Sequence, residues 1–299
     1  MSLSCIMIIK NGIKNGYPFI ESIRSIVDIV DEFLISDGYS EDETYEYLLA
    51  ATEKFPNVTL FRDEWSTSNF GESIADMTNL LKARAKCDWV YNLQADEILH
   101  EDILPKIKMI STHGITSYHS VALKFLHFVG DFFHVETQPG YETAIRLVPN
   151  TKAFFVAEDG WTFHGDVDPI GVIESPPVFH FGWVYEKDNI YKRMNQAQNI
   201  YRANESYIQD LKFCKEVEQN FKNRSEHYAG WQRKMLAYRR IRKYEGCYPK
   251  AALHLFDKGN YSYEPDTRVL DMEIPYTDRL LEPSHQQRDI KPKQRVHSP

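Results

Sequence analysis

Cysteine is scarce in this chain and scattered, with only four in 299 residues. Cys5, Cys87, Cys214 and Cys247 form no CxxC and stand beside no histidine at zinc spacing, which argues against a disulfide framework and a structural zinc. They read as core thiols of a reducing compartment. Long apolar runs are also missing. Residues 5–9 are apolar for the length of one strand, and no later stretch approaches the roughly 18 residues of a membrane span. Nor is there an excess of positive charge: Lys and Arg total 35 against 43 Asp and Glu, a formal net charge of -8. That balance argues against nucleic acid as the main partner and leaves any basic surface regional. Internal repeats and low-complexity blocks are absent. The chain is expected to be cytoplasmic, with one main domain and an extension.

What is present is a regular succession of short apolar runs and amphipathic segments. CIMII at 5–9 reads as a buried parallel strand ending at Lys10-Asn11-Gly12. Residues 17–30 set Phe19, Ile20, Ile23, Ile26, Val27 and Val30 at helical spacing. A strand at 33–36, a helix at 43–55 and a strand at 58–61 continue the series, then a helix at 74–86 and a strand at 89–93. This β-α-β-α-β order predicts an α/β fold, a Rossmann-like mixed sheet with right-handed crossovers and flanking helices. From 117 to 181 the runs become short, aromatic and β-rich, which predicts an antiparallel continuation lining a cleft. Residues 185–244 are polar, charged and nearly free of Pro and Gly, hence mainly helical. The boundaries expected are a domain over 1–184, a helical region over 185–274 and a loosely ordered tail over 275–299.

In open α/β sheets ligands sit beyond the carboxyl ends of the strands. Lys10, Asn11, Asp37, Gly38, Ser40 and Asp96 all fall there on this reading. Two segments stand out: DEFLISDGYSEDET at 31–44 and CDWVYNLQADEIL at 87–99, each an apolar strand running into acidic and hydroxyl residues.

With IMIIKNG at 6–12, IRLVPN at 145–150 and PVFHFGWVYEKD at 177–188, these segments resemble the family 2 type of glycosyltransferase, whose nucleotide-diphospho-sugar transferase fold is called GT-A. The resemblance covers about the first 190 residues. It implies an inverting enzyme that moves a sugar from a nucleotide-sugar donor to a glycan, lipid-linked or small hydroxyl acceptor, with Mn²⁺ or Mg²⁺ as cofactor. Lys10, Asn11, Asp37, Gly38 and Ser40 would cradle the nucleoside, with Asp37 accepting hydrogen bonds from base or ribose. Gln94 and Ala95 would border the donor. Asp96 would hold the metal against the diphosphate, with His180 completing the shell and His164 as a rival. Hard cations of this kind take carboxylate and phosphate oxygens. The family pattern has an acid where this chain has Gln94. Asp159, then Glu158, would take the acceptor proton, with Glu142 behind them. Arg146 would pair with the diphosphate.

Each of these residues also has a purely structural reading. Asp37 to Thr44 could be a helix start with Ser40 or Asp42 as its N-cap. The Asp96-Glu97 pair could open a helix over 98–109. His180 and Trp161 could be core residues, although Trp161 could equally stack on a sugar face. Arg146 could be in a strand-edge salt bridge. The basic stretch Arg233, Lys234, Arg239, Arg240, Arg242 and Lys243 could be a solvated helix face, or lie peripherally on an anionic membrane. A catalytically silent sugar-nucleotide or glycan binding protein of the same fold stays open through Gln94, and a sugar-phosphate nucleotidyltransferase is a further reading.

Overall fold

The computed structural model describes residues 1–65, 70–114, 119–137, 139–157, 160–184, 241–257, 263–274 and 290–292. The alternation expected from the sequence is realised. Strands β1 (Leu3–Ile9), β2 (Glu32–Asp37), β3 (Val58–Arg62) and β4 (Trp89–Asn92) are joined by helices α1 (Phe19–Ile26), α2 (Thr44–Lys54) and α3 (Phe70–Arg84). β1 pairs in parallel with β2 and β4, and β2 with β3. The apolar run of β1 is buried on both faces, as a central parallel strand requires.

The second half adds β5 (Glu97–Ile98), helix α4 (Leu104–His113), β6 (Ser120–Val129), β7 (His134–Glu136), β8 (Thr143–Pro149), β9 (Phe154–Val156), β10 (Phe163–Gly165) and β11 (Ile170–Trp183). β8 joins antiparallel to both β4 and β6, extending the parallel half. β11 lies parallel to β6, which departs from the all-antiparallel expectation. The result is one mixed sheet with helices against it, in agreement with the expected GT-A-like, Rossmann-like class. β9 and β10 form a separate hairpin. Among the described residues no helix is long and apolar enough to cross a membrane.

Three local expectations are corrected. The helix expected over 98–109 starts later: Glu97 and Ile98 are a short strand paired with Phe179 and His180, and α4 begins at Leu104. The end of the basic stretch is not helical. Ile241–Lys243 is a strand, β12, that pairs antiparallel with β7 and leaves Arg242 and Lys243 exposed. Within the expected tail, Ile290–Pro292 forms strand β13 against β11. The rest of the basic stretch, the helical reading of 185–240 and the remainder of the tail lie outside the described residues.

Two polar anchors hold this framework. The first is a fully buried ion pair between Arg146 of β8 and Glu97 of β5, both 0% exposed. The guanidinium donates from Nε to Glu97 Oε2 at 3.3 Å and from a terminal nitrogen to Oε1. Burial pushes the Glu97 carboxyl up to about 7, and the adjoining guanidinium works against that rise. The second anchor ties the C-terminal residues to α1. Every residue of α1 is buried, its polar face included. Glu21, 0% exposed, accepts from His254 Nε2 at 2.6 Å and from the Tyr263 hydroxyl at 2.8 Å. Arg24 donates from Nε to the Met272 carbonyl at 2.7 Å. A face that would otherwise be solvated thus becomes an internal polar seam.

Arg146→Leu strands the Glu97 charge and is expected to cost about 3–5 kcal/mol in urea unfolding, with Arg146→Leu/Glu97→Leu recovering much of that loss. Tyr263→Phe, which deletes a hydrogen bond to a charged partner, is expected to cost roughly 1.5–3 kcal/mol in the same measurement.

Candidate functional site

Two turns at the ends of β1 and β2 lock each other. Asn11 and Tyr39 both take left-handed backbone conformations, with φ of 53° and 54°. The Asn11 amide donates to Ser40 Oγ at 2.8 Å, and Asn11 Oδ1 accepts from the Glu41 amide at 2.7 Å. The Lys10 carbonyl accepts from Asn15 Nδ2 at 3.0 Å, and the Gly38 amide donates to the Ile9 carbonyl at 2.8 Å. Asp42 also spans the turns, accepting from the Lys14 amide at 2.8 Å and from the Thr44 amide at 3.1 Å, so it leads the chain into α2.

Asp37 is the internal bracket of this arrangement. Its carboxylate is 0% exposed and accepts from the Ser40 hydroxyl at 2.5 Å, the Ser40 amide at 3.1 Å and Arg62 Nε at 3.1 Å. In this arrangement Asp37 shapes the turn from behind. What the turn presents outward is Tyr39, 51% exposed. The Arg62 guanidinium lies over two rings, its carbon 4.7 Å from the Tyr39 centroid and 4.2 Å from that of Tyr45. Gly38 is needed for packing, because a Cβ there would stand 2.6 Å from the Trp65 indole nitrogen.

At the end of β4 the chain turns sharply. The Glu97 amide donates to the Gln94 carbonyl at 3.0 Å, and the Ser22 hydroxyl of α1 contacts the carbonyls of Ala95 and Glu97 at 3.1 and 2.5 Å. Gln94 uses both ends of its amide. Its Oε1 accepts from Arg146 at 3.1 Å, and its Nε2 donates to the Gly160 carbonyl at 3.4 Å. A carboxylate could accept from the arginine but could not donate to the carbonyl. Arg146 also donates to the Trp161 carbonyl. The guanidinium is fully buried and bonded to Glu97, Gln94 and Trp161, so Arg146 is in an ion pair, as its structural reading has it, and that pair is internal.

The β5–β11 pairing sets His180 opposite Glu97, and the Phe181 amide donates to the Asp96 carbonyl at 2.8 Å. This brings the Asp96 and His180 side chains together, with His180 Nε2 3.7 Å from Asp96 Oδ2. Both residues are buried, at 7% and 8% exposure. Behind His180 stands His127, its cross-strand neighbour on β6, with the two Nδ1 atoms 3.0 Å apart. His127 Nε2 lies 2.9 Å from the Tyr141 carbonyl. Burial, with His180 adding to it, pushes the His127 imidazole down to about 3, so it is neutral at physiological pH. Gly182 provides the floor: a Cβ there would fall 2.5 Å from the His180 ring and 2.9 Å from Asp96 Oδ2.

The structure thus brings Asp96 and His180 together and leaves His164 on the β9–β10 hairpin, stacked against Phe155. Glu142 forms a surface pair with Lys124 at 4.0 Å. Trp161 is half-buried and lies 5.1 Å from the Tyr141 ring. Glu158 and Asp159 lie outside the described residues. Sequence reading missed His127, Gly182 and Arg62. The period-2 pattern of VALKFLHFV carried a signal for the first, since it sets Phe125 and His127 on one face of a strand. Among the described residues no group of three or more His, Cys, Asp and Glu assembles as a metal cluster.

No family model matches the chain, and no curated protein matches it. Among solved structures it is similar to Staphylococcus aureus TarS 1–349, at 13% identity and a TM-score of 0.41, over 66% of this chain and 64% of that one. TarS 1–349 in complex with UDP-GlcNAc matches at 13% identity and a TM-score of 0.41, over 66% of this chain and 65% of that one. Glucosyl-3-phosphoglycerate synthase from Mycobacterium tuberculosis, in complex with Mn²⁺, UDP and glucosyl-3-phosphoglycerate, matches at 18% identity and a TM-score of 0.30, over 43% of this chain and 45% of that one. The chain spans less than two thirds of the length of each of these structures.

Proposed function

We propose that this chain is a metal-dependent, inverting glycosyltransferase that takes a sugar from a nucleotide-sugar donor and passes it to a glycan, lipid-linked or small hydroxyl acceptor. The observation that carries this reading is the placement of Asp96 and His180, 3.7 Å apart, just beyond the carboxyl end of β4. One carboxylate oxygen and one imidazole nitrogen suit Mn²⁺ or Mg²⁺, which keeps its other positions for phosphate oxygens and water. When bound, the ion offsets negative charge on the departing nucleoside diphosphate.

The chain's own residues do the rest. The interlocked turns, with Lys10, Asn11, Gly38, Ser40 and Tyr39, supply a rigid seat for the nucleoside, and Arg62 adds a cation packed over the Tyr39 and Tyr45 rings. Ala95 and Gln94 lead into Asp96, and the Gln94 amide holds the Gly160 carbonyl close to the strand end. Asp159, next in the chain to Gly160, is proposed as the base that takes the acceptor proton, with Glu158 as its alternate. Tyr141 and Trp161 offer aromatic surface suited to an acceptor sugar. The protein acts in the cytoplasm on this reading, with Arg242 and Lys243 available to an anionic membrane surface. The amide at position 94 also supports a second reading, a sugar-nucleotide binding protein without turnover.

Nucleoside diphosphates and their sugar conjugates, tested by thermal shift with Mn²⁺ or with chelator, distinguish the two readings. A ligand at about 100 times its dissociation constant stabilises a fold by roughly 2.7 kcal/mol. Stabilisation that chelator removes, together with sugar transfer, is expected; binding indifferent to metal and without transfer would establish the silent protein. Asp96→Ala is expected to abolish the chelator-sensitive shift. Gly182→Ala, which drives a methyl group into the His180 ring, is expected to weaken Mn²⁺ binding at least tenfold as read by titration of Mn²⁺. Asp159→Asn is expected to leave donor binding intact and slow transfer about 10²-fold. If Glu158→Gln does this instead, the two acids exchange roles.

A further inference from the structure

We infer that His127 is a positioning residue that sets the tautomer of His180, presenting the His180 Nε2 lone pair toward Asp96. This rests on the metal-dependent reading above.

The Tyr141 carbonyl can only accept a hydrogen bond, so His127 Nε2, 2.9 Å away, carries the hydrogen. In a neutral ring the lone pair is then on Nδ1. That atom lies 3.0 Å from His180 Nδ1, a distance at which two lone pairs would repel and one N–H must donate. The donor is therefore His180 Nδ1–H, which leaves the lone pair of a neutral His180 on Nε2. Nε2 is the atom that faces Asp96 Oδ2 across 3.7 Å. A nitrogen lone pair and a carboxylate oxygen set opposite each other form a mutually unfavourable arrangement that a shared cation relieves.

The orientation is enforced from several sides. His127 is 4% exposed, and its ring packs edge-on to Tyr141 with centroids 4.5 Å apart and stacks on Phe125 at 5.9 Å. Its ring sits at 71° to that of His180, with centroids 4.8 Å apart. The parallel β6–β11 register places the two histidines side by side. The missing side chain of Gly182 lets the His180 ring lie over the strand beside Asp96. A histidine ligand whose second nitrogen is held by an outer partner is the usual way in which metal affinity and ring orientation are tuned.

Long-range proton–nitrogen correlation spectra of the ¹⁵N-labelled, metal-free protein test this directly, with the rings assigned by His127→Asn and His180→Gln. The expected result is a protonated Nδ1 with an unprotonated Nε2 for His180, and the reverse for His127. A protonated Nε2 on His180 would overturn the inference whether or not metal binds. His127→Phe removes the acceptor and is expected to give His180 a mixed tautomer and to weaken Mn²⁺ binding about 10- to 100-fold, read by the paramagnetic signal of free Mn²⁺. His127→Asn keeps an acceptor near the position of Nδ1 and is expected to restore most of both. Unchanged tautomer and affinity in His127→Phe would also sink the idea. If the phenylalanine variant does not fold, the wild-type spectrum and the asparagine variant still decide. Should the wild-type spectrum be as expected while Mn²⁺ fails to bind, the metal reading falls and the tautomer assignment stands.

Discussion

The buried pair of Arg146 and Glu97 is the constraint on which the rest of the site depends. Taking two charges out of water is costly, and the pair recovers that cost only with close geometry and further hydrogen bonds. Here those further bonds run to Gln94 and to the Trp161 carbonyl, so satisfying the ion pair also fixes the strand end and the segment that follows Gly160. Asp96 stands between Gln94 and Glu97 in the chain, and its position follows from theirs. A hydrophobic pair in the same place would hold β5 and β8 together but would leave Gln94 without its acceptor role.

Much of the architecture was legible in the sequence because it is local. The runs at 5–9, 33–36, 58–61 and 89–93 are short, apolar and bounded by turns, and the structure lengthens them by one or two residues at most positions. The turn residues Asn11 and Ser40 could be placed at strand ends for the same reason. Asp96 and His180 were each legible as candidates; their meeting was not, since it depends on a two-residue pairing between segments about 80 positions apart. The alternative in which Asp96 and Glu97 open a helix rests on the residues after them, while the strand at Glu97–Ile98 exists only through its partner β11. Arg146 and Asp37 show a different limit: a charged residue at a strand end signals a ligand contact as readily as an internal brace, and burial is visible only in the structure.

The C-terminal residues show the same limit from the other side. Nothing in the sequence marks His254, Tyr263 or the Met272 carbonyl as partners of α1, because each makes only one or two polar bonds, to a helix more than 230 positions away. The moment of α1 predicts one apolar face against the sheet and a polar face in water. Tertiary pairing overrides the second half of that prediction, and Glu21 and Arg24 end up buried.

The interlocked turns after β1 and β2 have an evolutionary consequence. Asn11 and Tyr39 each hold a backbone conformation that costs an ordinary residue about 1–2 kcal/mol, and each is held there by bonds from the other turn or its own bracket. Neither loop is an independent module. Grafting one of them from another protein would strand the partner's donors: without the Asn11 side chain the Glu41 amide loses its acceptor, and without the Ser40 hydroxyl the Asn11 amide loses its own. Diversification of what this end of the sheet recognises would then proceed through the outward side chain of Tyr39, which carries none of the hydrogen bonds of the lock, whereas Arg62 is tied to Asp37.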